Sequence, residues 1–340
     1  MKSYINVVVV GAGYGLRTLV PACVAHPNIN VVSLVTASAV RPVELDPSIG
    51  HVNDLGSIAA AECVDAVIIA SPHHLHYEHA KFALRSGKHV LCQKPLSLTL
   101  PNANELVAIC KAKSLIGMMD FNFRFIPERA LLFEAIASGM IGNIRTIKCE
   151  FCRDDYNKWP SPWYYETAKG GGALISTGSH LVDSVTVAAG SRICSVEGTV
   201  FKKGQVDVGF RCEVVTYSGV QATIHVNHNK QGVGKHIMVV EGNEGSLEAN
   251  GSGVVKLTTK KGLTKNLCPS ERHFWDTDFT SVDGNHRLQP ASFVVSEFVR
   301  LISGRSTSSK LDFLTGVENL RVLNAIRRSS ETGEVIILKA

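Results

Sequence analysis

A lysine and a histidine are the two side chains of this sequence best suited to handling a proton. Lys94 lies in Gln93-Lys94-Pro95, directly after the apolar run His89 to Cys92. That run reads as a buried strand, and a lysine and a proline at its end suggest a stiffened turn presenting one ammonium to a crevice. A solvated loop lysine is the ordinary alternative for such a tripeptide. His180 lies in the run Ala173 to Ala189, where helical spacing puts Ser176, His180 and Asp183 on one face. An imidazole titrates near neutrality, and a hydroxyl or carboxylate beside it can orient the ring. Asp183 either serves in that way or is a structural residue of the helix.

Such groups are useful only if the chain brings them to a ligand, and the first half of the sequence reads as a ligand-binding sheet. Ile5 to Val10 is β-branched and continuous, as a central parallel strand covered on both faces would be. It runs into Gly11-Ala12-Gly13-Tyr14-Gly15, after which Leu16, Leu19, Val20 and Cys23 keep helical spacing up to His26-Pro27. Strand, glycine turn and helix form the context of a dinucleotide fingerprint. Gly11 permits the tight turn, Gly13 lets the backbone approach a pyrophosphate, and the helix N-terminus offers N–H groups. The usual third glycine is Leu16.

A second strand, Val31 to Thr36, ends without the acidic residue that grips an adenosine ribose. Thr36-Ala37-Ser38 with Arg41 stands there instead, and small hydroxyls with an arginine suit a 2′-phosphate, which favours NADP over NAD. Strands at Ala66 to Ala70, His89 to Cys92 and Leu115 to Met119, with helices at Tyr77 to Arg85 and about Asn102 to Lys113, complete a doubly wound unit. Beyond it, Ile193 to Lys202, Val206 to Ser218, Val220 to Lys230, His236 to Glu241 and Val254 to Thr259 alternate apolar and polar residues between glycine-rich turns. An antiparallel sheet with one apolar and one polar face is expected, followed by helices at Ala291 to Ser303 and Thr315 to Arg328 and a strand at Glu334 to Leu338.

Composition narrows the classes. The 340 residues suffice for two domains, and 35 basic against 30 acidic residues leave +5, too mild and dispersed for a nucleic-acid groove. Nine cysteines scattered through apolar segments read as reduced thiols of a cytoplasmic protein. Cys149-x-x-Cys152 sits in the strand-like run Ile144 to Phe151, where residues three apart face opposite ways. The histidines at 73, 74, 76 and 79 lack a completing carboxylate or cysteine set, so no metal is expected. The N-terminal apolar run, Ile5 to Val10, is shorter than a signal-peptide core or a membrane span.

Taken in order, several of these pieces resemble the family of glucose-fructose oxidoreductase, inositol dehydrogenase and the MocA protein. They are Gly11 to Gly15, Ser71-Pro72 with His76, Gly87-Lys88-His89-Val90 leading to Gln93-Lys94-Pro95, Asn122-Phe123-Arg124-Phe125 with Pro127, and Gly170-Gly171-Gly172 followed by Gly178-Ser179-His180 and Asp183. The resemblance runs nearly end to end. It implies a Rossmann domain over 1–121 that binds NAD(P), and a domain over 122–340 built on a large, mostly antiparallel sheet, whose C-terminal helices can pack back on the first.

By the same resemblance the cofactor meets Gly11, Gly13, Tyr14, Gly15, Ser71, Pro72, His76, Gln93, Lys94 and Asn122, together with the Ser38 and Arg41 read above from the residues after the second strand. Lys94 and His180 would be catalytic in oxidation of a secondary alcohol, the lysine polarising the oxygen and the histidine taking the hydroxyl proton. Arg124, Trp163 and Ser176 would join them against a sugar, cyclitol or related hydroxy or keto compound. Trp163 belongs to an aromatic segment, Tyr156 to Tyr165, that suits sugar rings or simply braces a loop. A homodimer or homotetramer through the second sheet is implied, without nucleic acid or membrane. Two departures stand out. Gln93 replaces the family's glutamate and Ser176 its aspartate, losses that would also fit a cofactor-sensing regulator; a reductase of an imine or tetrapyrrole is a further alternative. The Lys94-Pro95 bond is expected to be strained or cis.

Overall fold

Val7 to Val10 are almost wholly buried, and the strand they form pairs with a parallel strand on each side. The computed structural model of the chain describes residues 4–59, 61–230, 234–274, 288–306 and 309–339. Strands β1 (Ile5–Val10), β2 (Ile29–Val35), β3 (Gly50–Val52), β4 (Ala66–Ile69), β5 (His89–Gln93) and β6 (Gly117–Asp120) form one parallel sheet in the order β3-β2-β1-β4-β5-β6. The strand order reverses between β1 and β4, which opens a crevice at their carboxyl ends. Helices His76–Arg85 and Leu100–Lys113 cross between the later strands, and Thr99 caps the second by accepting the Asn102 N–H at 3.4 Å. The Lys94-Pro95 bond is cis.

The second sheet contains β7 (Ile144–Cys152), β8 (Ile193–Lys203), β9 (Val206–Thr216), β10 (Gln221–Asn227), β11 (Lys235–Gly242), β12 (Gly245–Ala249), β13 (Val255–Thr259), β14 (Thr264–Leu267) and β15 (Ile336–Ile337). Its order is β14-β13-β12-β11-β7-β10-β9-β8-β15, with β7 and β10 parallel and every other described pair antiparallel. Ile147, Cys149 and Phe151 of β7 and Ala222, Ile224 and Val226 of β10 are buried on one face, while Lys148, Thr223 and Glu213 lie on the other, where Glu150 and Cys152 of β7 are buried as well. The two-residue side-chain period dictates that division.

Packing separates the chain into two compact units, one within Met1–Phe125 and Trp275–Val317, the other within Ile126–Phe274 and Glu318–Ala340. The sequence expectation sets a line between residues 121 and 122, with C-terminal helices able to pack back on the first part. Phe125 stacks on Phe293 of the helix Leu288–Ile302 at 5.7 Å between ring centres, and Arg124 donates to the Lys310 carbonyl at 2.8 Å, so a segment more than 160 residues downstream completes the first unit.

A difference lies in the run Ala173 to Ala189. One continuous helix was expected; the chain instead forms a π-turn, Leu174–Gly178, before the helix Ser179–Ala189. A π-turn closes i→i+5 hydrogen bonds, so Ser176 sits in a wider winding than His180, which stands on the regular helix. Gly172 starts this turn at φ +99°, where a Cβ would collide with the Asp207 carboxylate. That carboxylate accepts the Leu174 N–H at 2.6 Å. Gly172→Ala should therefore cost about 1–3 kcal/mol, read as a lower denaturation midpoint; an unchanged midpoint would show that the turn can relax around a side chain.

Candidate active site and cofactor cradle

In the first unit the sequence-expected residues gather along the carboxyl edge of the parallel sheet. Gly11 has φ +124°, and a Cβ there would strike the Ala70 carbonyl at the end of β4. Glycine is required for this approach of two strand ends. Gly13 is different: among the described residues, no atom beyond its chain neighbours comes within 4 Å of the position its Cβ would take, so the space there is open. Leu16 and Arg17 donate to the carbonyls of Gly11 and Gly13 at 3.1 Å each, closing the turn into the π-turn Gly15–Leu19 and the helix Val20–Val24. Leu16, at the expected third-glycine position, is buried.

Tyr14 and Asn122 meet. The Asn122 amide donates to the Tyr14 hydroxyl at 2.6 Å, joining the glycine turn after β1 to the residues after β6. Ser71 and His76 meet as well. The His76 ring is fully buried with Nδ1 2.6 Å from the Pro95 carbonyl and Nε2 2.8 Å from the Ser71 carbonyl. Burial pulls its pKa down to about 4, and a neutral imidazole carries one N–H, so only one of these contacts is a hydrogen bond at a time. With the proton on Nδ1 the ring ties the helix after β4 to the turn bearing Lys94; with it on Nε2 the ring bonds back to Ser71 within its own loop. The Ser71 hydroxyl pairs with His79 Nδ1 at 2.9 Å.

Lys94 itself is buried, which lowers its pKa to about 8 against the opposing charge of Asp120. Asp120, the last residue of β6, was not singled out in the sequence, where it reads as one more strand-end acid. It is wholly buried and accepts a hydrogen bond from the Gln93 amide. Burial raises its pKa to about 7, opposed first by that hydrogen bond and then by the charge of Lys94. Beyond β2, Ser38 accepts the Val40 N–H at 3.0 Å, and Arg41 uses Nη2 on the carbonyls of Asp46 and Ile49 at 2.6 and 2.9 Å. Arg41 thus shapes its own loop. Arg124, besides its bond to Lys310, lies 5.8 Å from the Phe121 ring.

In the second unit His180 is 6% exposed on the first turn of its helix, held by Asn319 donating to the Ser179 carbonyl and Ser184 donating to that of His180, each at 2.8 Å. Ser176 donates to the Gly172 carbonyl at 2.6 Å, so this hydroxyl has a backbone role in the π-turn. Trp163 stacks on Tyr164 at 3.9 Å between ring centres, and Tyr156, Trp159 and Tyr165 form a second cluster at 5.0–5.3 Å. Sequence reasoning missed His228 here. Its Nδ1 pairs with Asp155 at 2.6 Å and its Nε2 with the Thr177 hydroxyl at 2.7 Å, a chain from a carboxylate through an imidazole to the turn before His180. A histidine just past a strand end carries no local signature of such a chain, because Asp155 and Thr177 come from distant sequence.

Of the four histidines at 73, 74, 76 and 79, His73 and His76 pack edge to face with ring centres 5.6 Å apart. Among the described residues the one group with ligand atoms within 4.8 Å of one another is Glu150, Cys152 and His225. Lys148, Lys230 and Lys235 each approach the Glu150 carboxylate to 3.9 Å, and these three positive charges oppose a divalent cation there. Cys149 lies on the other face, buried in the core.

A family model described as "Oxidoreductase family, NAD-binding Rossmann fold" matches residues 5–121, and one described as "GFO/IDH/MocA C-terminal domain" matches residues 130–248. The chain belongs to the Gfo/Idh/MocA oxidoreductase family. An uncharacterized oxidoreductase of Synechocystis sp. is 26% identical over 333 residues, covering 89% of this chain and 88% of that protein. Levoglucosan dehydrogenase of Pseudarthrobacter phenanthrenivorans is 29% identical over 230 residues, 58% of each chain. A solved structure of levoglucosan dehydrogenase in complex with NADH and L-sorbose superposes with a TM-score of 0.88 over 99% of both chains at 20% identity, a likeness of fold. As a Gfo/Idh/MocA member, the chain is an NAD(P)-dependent oxidoreductase with an NAD-binding Rossmann fold. Its cradle fits a dinucleotide: open space over Gly13, turn N–H groups beside it, and a buried ammonium at the end of β5.

Proposed function

We propose that this protein exchanges a hydride between NAD(P), with NADP preferred, and the secondary alcohol or ketone of a sugar, cyclitol or related compound. The observation that carries the reading is Lys94, a lysine held in a buried position at the carboxyl end of β5 beside the carboxylate of Asp120. A buried ammonium needs an anionic or oxygen partner to justify its desolvation, and an alkoxide developing on a substrate is such a partner. Relatives support the substrate class: a scyllo-inositol 2-dehydrogenase (NADP(+)) of Bacillus subtilis is 26% identical over 201 residues, and a D-glucoside 3-dehydrogenase of Escherichia coli 30% over 140.

The glycine turn and the β4 and β5 loops hold the dinucleotide, which when bound supplies or accepts the hydride. Lys94 donates a hydrogen bond to the reacting oxygen and stabilises its charge. His180 takes the hydroxyl proton in oxidation and returns it in reduction. Trp163 and Arg124 face the substrate; Ser176 steadies the turn that carries His180. The first unit serves as cofactor domain and the second as substrate and assembly domain, with the polar face of the nine-stranded sheet forming a homodimer or homotetramer in the cytoplasm. The NADP preference rests on Thr36, Ser38 and Arg41 where a carboxylate would otherwise bind the ribose.

Purified protein offered NADPH, NADH, NADP and NAD with a panel of polyols and ketosugars should change the absorbance of the reduced cofactor with at least one of them, faster with the phosphorylated coenzyme. No change with any sugar or cyclitol would reject the substrate class. Equal use of both coenzymes would reject the preference alone.

A further inference from the structure

Gln93 and Asp120 are paired residues at the carboxyl ends of β5 and β6. The Gln93 amide donates to Asp120 Oδ2. A carboxylate is only an acceptor when ionised and an amide nitrogen only a donor, so the pair is chemically complementary and needs a single negative charge. A glutamate at 93 would place two carboxylates together in a buried position, and one would then have to be protonated. The arrangement therefore keeps one charge and seats it on β6. With Asp120 wholly buried, that charge has no bulk water to stabilise it.

We propose that Asp120 supplies the negative charge that holds Lys94 as an ammonium, with Gln93 as the neutral clamp that keeps this carboxylate ionised and in place. Asp120 is thus a positioning residue for the reaction proposed above, and the inference rests on that reading for its functional meaning. The replacement of glutamate by glutamine at 93 leaves the site its carboxylate, carried on the neighbouring strand.

Other titratable groups around Lys94 do not compete for this role. His76, from the helix His76–Arg85, is kept neutral by burial. Cys92 on β5 is a buried thiol whose pKa burial pushes far up, with Asp120 adding to the rise. Asp120 is the carboxylate whose charge opposes the loss of the Lys94 proton. Burial moves the two groups toward their neutral forms, Asp120 upward and Lys94 downward, and the charge of each opposes that shift in the other.

The test is the titration of the Lys94 side chain in the full-length protein without substrate, followed by the NMR resonance of its Cε and assigned by its loss in Lys94→Arg. In Asp120→Asn the midpoint should fall by about one unit or more, the size expected when an adjacent opposite charge is lost. In the exchanged variant Gln93→Glu/Asp120→Asn, which restores one amide and one carboxylate to the pair, it should return to the wild-type value. An unmoved midpoint in folded Asp120→Asn overturns the proposal, as does a midpoint in the exchanged variant that stays about a unit low. If Asp120→Asn does not fold, the exchanged variant decides alone. Because no substrate enters this measurement, it stands or falls independently of the sugar assay. In the active enzyme, the alkaline limb of the kcat profile should shift to lower pH by the same amount in Asp120→Asn and recover in the exchange.

Discussion

Lys94→Ala lowers kcat by about 10²–10⁴-fold while changing the dissociation constant for NADPH by less than about threefold. The split follows from where the side chain sits. Cofactor affinity depends on the glycine turn and the loops after β4 and β5, whose backbone is braced by Gly11 against Ala70 and by His76 against Pro95. None of those contacts uses the ammonium. Lys94→Arg should fail to restore turnover, since a planar guanidinium cannot occupy the volume of a buried point charge. The pH dependence has a definite sign. Burial places the Lys94 pKa at about 8, below its ordinary value, so wild-type turnover should fall as pH rises through about 8, when the ammonium is lost. Stopped-flow fluorescence for NADPH binding beside steady-state rates separates the two effects; a loss of affinity equal to the loss of rate would make Lys94 a cofactor anchor instead.

His180→Ala should reduce kcat in the alcohol-oxidising direction by about 10²–10⁴-fold, with partial rescue by free imidazole. The helix should survive the change. Asn319, Ser184 and the buried faces of Leu181, Val182 and Val185 hold it without the imidazole. Rescue is the informative part, because a residue needed only for packing would not be replaced by a base in solution. Combining this variant with Lys94→Ala tests whether both side chains serve one step: a double loss well short of the product of the single losses shows that they act together, and a full product shows independent roles. Should His180→Ala keep its rate, the Asp155–His228–Thr177 chain becomes the place to look for the base.

How far the sequence reached can be judged at these same residues. Lys94 was visible because a continuous apolar strand followed by Lys-Pro has few structural readings, and strand, glycine turn and helix at residues 5–24 have fewer. His180 was visible from its glycine-rich approach and helical spacing. Asp120 was not, because a strand-end aspartate looks alike whether solvated or buried. Its partners Gln93 and Lys94 lie more than 25 residues away and meet it only when β5 pairs with β6. The π-turn before His180 was equally hidden. It depends on Asp207 of β9 gripping the Leu174 N–H beside Gly172, a long-range contact that helical spacing cannot report.

By itself, then, the sequence determined the kinds of strand, the glycine turn, the lysine and the histidine, because these rest on periodicity and on residues adjacent in the chain. Tertiary structure alone decided which carboxylate stands with Lys94 and how the turn before His180 is wound. Each of those outcomes depends on burial and on contacts between distant residues, and burial is what changes an ordinary aspartate or lysine into a group with a shifted charge. The glutamine at 93, which in the sequence looked like a lost charge, is in the folded chain the donor that holds the charge one strand over.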